Sequence, residues 1–308
     1  MQSDMKNIQQ ILAVLQQYGI SYEYSGNQDY TFEGFCPLNL LKDNCIIWAR
    51  DSNSLDIEEI NTYHNMLIFL EKGTSVPELQ CEKLYVDEVH RTYFRVLAVL
   101  FDEINPANRE AGISATAVVE TKNVGKNLYV GHQSYIGPDV IIGDDVTIMH
   151  HVTIQNHVVI GNGTVIESGS VIGACGFGHY HDEKGHPVCV PHFGGVRIGN
   201  NVTIGANNAI SRGCLADTII EDDVKTDNLC HIAHNDHIKR GAMLTANTVI
   251  SGSTTVGENA WLAPGTLLNN SITVGDDAYT GIGAVATKSI PEGKVVVGMP
   301  AKVLRDRY

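Results

Sequence analysis

In the stretch DNLCHIAHNDHIKRG, residues 227–241, histidines stand at positions 231, 234 and 237. Imidazoles so spaced could hold a metal ion, or one could serve as a general base while the others stand by; surface decoration is the third possibility. Three residues apart means one face of a helix, opposite faces of a strand, and neither on a coiled solenoid. The backbone therefore decides the chemistry. Downstream, Gly252 in ISGSTT lacks a side chain and lets a ligand approach the main chain closely. Asp217 and Asp227 are the candidates to orient an imidazole, and the sequence does not choose between them.

The elements that must position these groups are announced by a six-residue period. Val118, Val124, Val130, Ile136, Ile142, Ile148, Ile154, Ile160, Ile166 and Ile172 are all β-branched aliphatics. A second run passes from Ile220 through Thr226, Ile232, Ile238, Leu244 and Ile250 to Ala286, with Ile198, Ile204 and Ile210 between. A generic Val/Ile-rich β-protein would not hold phase so long. One inward aliphatic per hexad, with Gly, Asn or Asp at the next corner (IGDDVT, IGNGTV, VGENAW), is the pattern of a parallel β-helix. Three hexads close a triangular coil, and coils stack at the strand separation of roughly 4.8 Å; about eight coils fit the hexads. The phase breaks twice. Twenty-five residues lie between Ile172 and Ile198 where the repeat expects five, and the spacing from Ile210 to Ile220 is ten rather than twelve. The first break is a loop leaving the prism, either a carrier of binding residues or a neutral surface insertion.

On an eighteen-residue coil, His231 and His237 take equivalent positions on different faces, which disfavours a three-histidine metal site within one chain, and no metal is expected. His132 and His150, eighteen apart, stack as a surface ladder. Position 252 lies one coil beyond His234. An imidazole beside a bare main-chain N–H is a base-and-oxyanion arrangement; a surface histidine beside a turn glycine is the alternative.

The formal charge of -14 and pI near 5.3 disfavour a broad nucleic-acid footprint, leaving room only for a local basic groove or a small anionic cofactor. Seven cysteines with no C-x-x-C pair argue against a disulfide framework and for a reducing cytoplasm. The opening MQSDMKNIQQILAVLQQYGI is amphipathic, neither a signal segment nor a membrane span, and no membrane insertion is expected. Residues 1–108 read as a small α/β domain: an opening helix, apolar strands around NCIIWAR and HNMLIFL, and a closing helix near HRTYFRVLAVLFDEI. NPANRE is the expected linker, residues 109–290 the β-helix and 291–308 a short tail.

AGISATAVVE, GACGFGHYHDEKGHPVCVPHFGGVRIGNNVTIGA and SRGCLADTIIEDDVKTDNLCHIAHN resemble the UDP-3-O-acylglucosamine N-acyltransferases of lipid A synthesis, densely over residues 112 to about 275. The resemblance implies a left-handed parallel β-helix, a homotrimer, acyl transfer from a thioester to a sugar amine, His234 as the catalytic histidine and Gly252 as the oxyanion glycine. It further implies that Phe177, Gly178 and His179 of the G-F-G loop, Asn228 of the D-N segment and Trp48 of the first domain contact a nucleotide-linked sugar, although Trp48 could equally be a core residue. Two departures stand out. Ser271 in LLNNSITV replaces a second active-site histidine, and the tail GIGAVATKSIPEGKVVVGMPAKVLRDRY resembles coenzyme-A-using hexapeptide acetyltransferases in place of a helical docking extension. Gly283, Ala284, Thr287, Lys288, Lys302 and Arg305 are then the residues expected at the coenzyme, unless the cations belong to an ordinary solvated terminus. Together these imply an acyl-CoA-dependent N-acyltransferase acting on a nucleotide-linked amino sugar, a deoxysugar for surface polysaccharide, with acyl carrier protein unlikely as partner. The lipid A enzyme using acyl carrier protein is the alternative; a zinc-dependent hydratase and a non-catalytic nucleotide-sugar scaffold are further rivals.

Overall fold

The structure, a computed structural model, describes residues 5–101, 110–300 and 302–307. It divides into two compact units, Met1–Arg109 and Glu110–Tyr308. Residues 105–109 of the expected linker lie outside the described residues.

In the first unit, Asn7 caps the helix Ile8–Gln17: its side chain accepts the Gln10 N–H while the Gln10 side chain accepts the Asn7 N–H. Five strands form one sheet in the order Tyr22–Glu23, Glu82–Val86, Leu67–Glu71, Cys45–Trp48, Gly34–Phe35. Leu67 and Phe69 face one core, shared with the helices Ile8–Gln17 and Val89–Leu100, while Ile68 and Leu70 face another. Burial on both faces is why this strand reads as a continuous apolar run.

The second unit is a parallel β-helix. Its three faces are sheets of eight, eleven and nine strands, all parallel except the last, so nine to ten coils stack where about eight were expected. The hexads set the register: Val130 pairs with Ile148 and Ile148 with Ile166, eighteen residues apart each time. Ile136, Ile142, Ile148, Ile154, Ile160, Ile166 and Ile172 are each no more than 3% exposed, and each such side chain taken out of water contributes about 1.5–3 kcal/mol. Corners fall on Asn127, Asp145, Asn201, Asn235, Asn247 and Asn259, all with φ near +55°. Asn and Asp tolerate that left-handed conformation better than other side chains, which is why the corner letters are what they are.

Three details of the register differ from the hexad count. Ile136 pairs with Val119, seventeen residues back, so Val119 packs on the core and Val118 remains 53% exposed. The step from Thr203 to Lys225 is twenty-two residues: the break before Ile220 is a four-residue insertion at a corner, not a two-residue shortfall. The excursion after Ile172 lengthens one coil to thirty-eight residues, Val165 pairing with Thr203, and carries an antiparallel hairpin, His179–His181 with Pro187–Cys189. At the far end Lys294–Val297 pairs in parallel with Tyr279–Thr280, continuing the same sheet into the segment read as a tail, and Lys302–Asp306 folds back along it. That last strand covers an edge that would otherwise be open to pairing. Among the described residues no helix is long and apolar enough to cross a membrane.

Candidate active site

His234 occupies the corner between the strands His231–Ile232 and His237–Ile238, which belong to different sheets. The eighteen-residue step places Gly252 in the next corner, where the Ser253 N–H donates to the His234 carbonyl at 2.9 Å and the Ser271 N–H to the Gly252 carbonyl at 3.1 Å. Three successive corners are thus stacked by main-chain bonds. The Gly252 N–H donates to none of the described residues, so it is available to a ligand. The imidazole lies flat against this glycine: a Cβ at position 252 would come within 2.7 Å of Cε1, 2.9 Å of Nε2 and 3.0 Å of Nδ1 of His234. On the other side Gly176, from the excursion, approaches as closely, a Cβ there meeting His234 Cδ2 at 2.7 Å.

His234 and Gly252 line a cavity of about 510 Å³ with Cys175, Phe177, Ser211, Ser251, Ser271 and Asn270. Its described lining holds no charged side chain; besides Ala233 and Gly252 it presents imidazoles, hydroxyls, an amide, a thiol and one aromatic ring. Such a wall suits a neutral polyhydroxyl ring and an acyl group better than a diphosphate. A larger hollow of about 740 Å³ lies in the first unit between Tyr22, Tyr24, Glu23 and Glu82. There Glu82 is already bound by the Tyr24 hydroxyl and the Asn27 N–H, and no histidine lines it, so the cavity at His234 is the candidate site.

Asn235 sets the tautomer of His234. Its Oδ1 accepts the Cys214 N–H at 2.7 Å, which turns its Nδ2 toward His234 Nδ1 at 3.1 Å. The neutral ring accordingly carries its proton on Nε2. Burial holds the imidazole below the usual histidine value, and charge on His192 or His231 acts in the same direction whenever those rings are protonated, so His234 is unprotonated at neutral pH and its lone pair is free to accept a proton. Neither candidate carboxylate orients it. Asp217 accepts the Gly195 N–H at 2.7 Å and pairs with Arg197 Nε at 2.5 Å, and Asp227 accepts the Asn228 N–H at 2.7 Å; the four-residue insertion and the corner geometry give both other partners.

Asp236 is the carboxylate that matters locally. It is 1% exposed, and its two oxygens accept the N–H groups of Ala233 at 2.8 Å and Thr254 at 2.9 Å, tying the His234 corner to the Gly252 corner. Burial pushes its pKa up to about 8, the two N–H donors pulling back only part of the way. Asp236→Asn offers one acceptor and an unwanted donor to two N–H groups, and it is expected to lower stability by about 1–3 kcal/mol in chemical denaturation. The pH dependence has a definite sign. A folded value near 8 against an ordinary 3.8 means a contribution complete below 3.8 and fading as pH rises through 8, so the stability gap between wild type and variant should narrow over that window. A gap that widens would show the ionised form to be the stabilised one.

His231 lines the same cavity as His234, although the coil arithmetic had turned it away: it points outward from the sheet adjoining the corner, and the cavity wraps that edge. His237 lies on the other sheet, bound to Glu221 at 2.6 Å. His132 and His150 stack as expected, ring centroids 5.3 Å apart. Phe177 stands at the cavity wall, 90% exposed, against the His179 ring at 4.5 Å. Gly178 and His179 are on the hairpin side and do not line the cavity, and Asn228 sits at another corner, its Oδ1 accepting the Ala206 N–H. Trp48 is half-buried beside His90, Tyr93 and Phe94 in the first unit. Nothing in the spacing marks His192, Ser211, Ser251 or Asn270, whereas Asn235 and Asp236 adjoin His234 in the motif and were legible as neighbours, not as partners. Among the described residues no three His, Cys, Asp or Glu side chains converge to hold a metal.

The family described as bacterial transferase hexapeptide (six repeats) matches residues 122–156 and 139–174. A UDP-3-O-acylglucosamine N-acyltransferase of Rickettsia massiliae (strain Mtu5) is 58% identical over 135 residues, 44% of this chain and 39% of that protein. UDP-3-O-acylglucosamine N-acyltransferase 2 of Legionella pneumophila (strain Lens) is 49% identical over 87 residues, 28% of this chain and 25% of that protein. These matches span well under half of either relative's own length. Among solved structures, a UDP-N-acetylglucosamine acyltransferase from Bacteroides fragilis superposes with a TM-score of 0.57 at 26% identity, covering 64% of this chain and 75% of that one. LpxA from Acinetobacter baumannii does so with a TM-score of 0.56 at 20% identity, over 63% and 74%, and shares the fold alone. The chain is a hexapeptide-repeat protein resembling UDP-3-O-acylglucosamine N-acyltransferases, and the acyltransferase reading agrees with the relatives' names.

The finer reading does not stand. Acyl-CoA as donor, a deoxysugar acceptor for surface polysaccharide and the exclusion of acyl carrier protein are overturned by relatives named for UDP-3-O-acylglucosamine. The tail features that suggested coenzyme A have a structural reason instead. Gly283 has φ of +67° at a corner and Ala284 is fully buried in the prism, as the coil itself requires. Thr287 and Lys288 are exposed just beyond the strand Val285–Ala286, and Lys302 and Arg305 are exposed on the final strand; none of the six lines the His234 cavity.

Proposed function

We propose that the protein is a cytoplasmic N-acyltransferase of the UDP-3-O-acylglucosamine type, moving an acyl chain from an acyl carrier protein thioester to the amine of the nucleotide-linked sugar. The observation that carries this reading is the imidazole of His234 lying flat on Gly252, whose N–H is unused, in a cavity without charge. The neutral amine attacks the thioester carbonyl carbon and a C–N bond forms. The Gly252 N–H holds the oxyanion, and His234 takes the proton that the nitrogen loses. With Nε2 already protonated, the receiving lone pair is that of Nδ1, which Asn235 gives up in the step. The C–S bond then breaks, and the imidazolium returns its proton to the departing thiolate. The amide and a free thiol are the products, and no acyl-enzyme is formed. Seven free cysteines are in keeping with a reducing compartment.

The test is a two-donor assay with UDP-3-O-acylglucosamine, read by mass spectrometry as gain of one acyl group. Acyl carrier protein thioester should give the amide, with acyl-CoA of the same chain length at least tenfold less effective in kcat/KM. Equal or better use of acyl-CoA overturns the donor, and no amide from either donor overturns the activity.

A further inference from the structure

His192 reaches the site from the returning arm of the excursion. It is 7% exposed, and its ring meets that of His234 edge to face with centroids 5.3 Å apart. Its Nδ1 lies 2.8 Å from the Val190 carbonyl, a bond that requires the proton on Nδ1 and leaves the lone pair on Nε2. That Nε2 is the buried side-chain atom without a hydrogen-bond partner among the described residues. A buried polar atom left unpaired is destabilising, so a phenylalanine there would pack without that penalty. On the facing ring the complementary group is present, because the amide of Asn235 leaves the His234 proton on Nε2. Two imidazoles joined by an N–H···N bond of about 2.9 Å have centroids roughly 5 Å apart, the separation observed. Gly176 keeps the space between them clear: a Cβ there would lie 2.7 Å from His234 Cδ2 and 2.8 Å from His192 Nε2.

We propose that His192 is the orienting partner of His234, its Nε2 accepting the His234 Nε2–H through a small rotation of the ring when His234 takes up the proton of the amine. The carbonyl of Val190, His192 and His234 then form a line in which each donor has an acceptor, the part that a carboxylate plays beside a catalytic histidine elsewhere. This rests on the reading of His234 as the base. The other titratable groups around the ring are His231 and Cys175 on the cavity wall and Asp236 beneath the corner; the guanidinium of Arg212 is engaged by the carbonyls of Gly173 and Asn156.

The test compares His192→Phe, which keeps the ring and removes the acceptor, with His192→Gln, whose amide oxygen can replace it. Loss of such a partner is expected to lower kcat about 10- to 100-fold, with KM for both substrates little changed, and glutamine should restore most of the loss. The second readout is the NMR titration of His234 in the full chain without substrate. A neutral His192 that accepts from the imidazolium holds the His234 midpoint up, so His192→Phe should move it down; a His192 that only repels the imidazolium does the opposite. A kcat unchanged in His192→Phe, a midpoint that rises or stays put, or a glutamine variant no better than phenylalanine overturns the proposal. Since the titration needs no substrate, a downward midpoint in a protein that makes no amide would strike at the proposed activity and leave the pairing standing.

Discussion

His234→Ala should lower kcat by roughly 10²- to 10⁴-fold, the usual worth of a positioned general base, with KM for the sugar and the thermal midpoint little changed. The side chain is a ring resting on a glycine at the lip of a cavity, not a wedge in the prism, whose interior at this level is Ile232 and Ile238. Removing it therefore opens space without exposing the core. The deficit should depend on pH. An amine already neutral needs less help, so wild type and variant should converge as pH rises toward the amine's own constant. Below neutrality wild-type activity should fall as His234 is protonated, at a pH lower than for an ordinary histidine because burial holds its acid form back. His237→Ala is the control, its imidazole being bound to Glu221 on the other sheet. A His234→Ala protein within threefold of wild type, or a His237→Ala protein equally damaged while folded, would sink the assignment.

Gly252→Ala should be nearly as damaging, and for a steric reason. The position has no left-handed φ, so alanine is free of backbone strain there, yet the added methyl would lie 2.7–3.0 Å from three atoms of the His234 ring. The ring must swing away, and the methyl also crowds the approach to the Gly252 N–H. Loss of one oxyanion donor alone lowers kcat about 10²- to 10³-fold; displacement of the base adds to that. The measurement is kcat beside a melting curve. A melting temperature within a few degrees of wild type with kcat down at least a hundredfold is the expected pair of results, and an active Gly252→Ala enzyme would show that neither the stack nor the N–H is used.

The two variants probe what the hexads made legible. An aliphatic every six residues admits one backbone, because side chains at that spacing reach a common interior only if the chain turns a corner three times in eighteen residues. Once that is granted, residues eighteen apart must stack, and His234 beside Gly252 follows by counting, as does His132 on His150. The count slips where a coil is irregular. Val118 exchanged places with Val119 because the first coil is one residue short, and the insertion before Ile220 was read with the wrong length because a corner can absorb residues without disturbing the strands beside it.

Other features depended on distance in space. His192 lies forty-two residues before His234, in an excursion without period, and only the path of that loop brings the rings together. Asp217 and Asp227 looked suited to hold the base, but a carboxylate takes whichever donor the corner presents, and these met Arg197 and main-chain N–H groups, while the neutral amide of Asn235 met the ring. His231 was turned away by the arithmetic of faces and returned by the shape of the cavity. Periodicity is a property of the backbone and is written in the order of residues. Hydrogen-bond partners and cavity walls are set by side chains whose reach of a few ångströms crosses coils and loops, so the sequence determined the prism and the stacking of His234 on Gly252, and the tertiary structure decided what surrounds them.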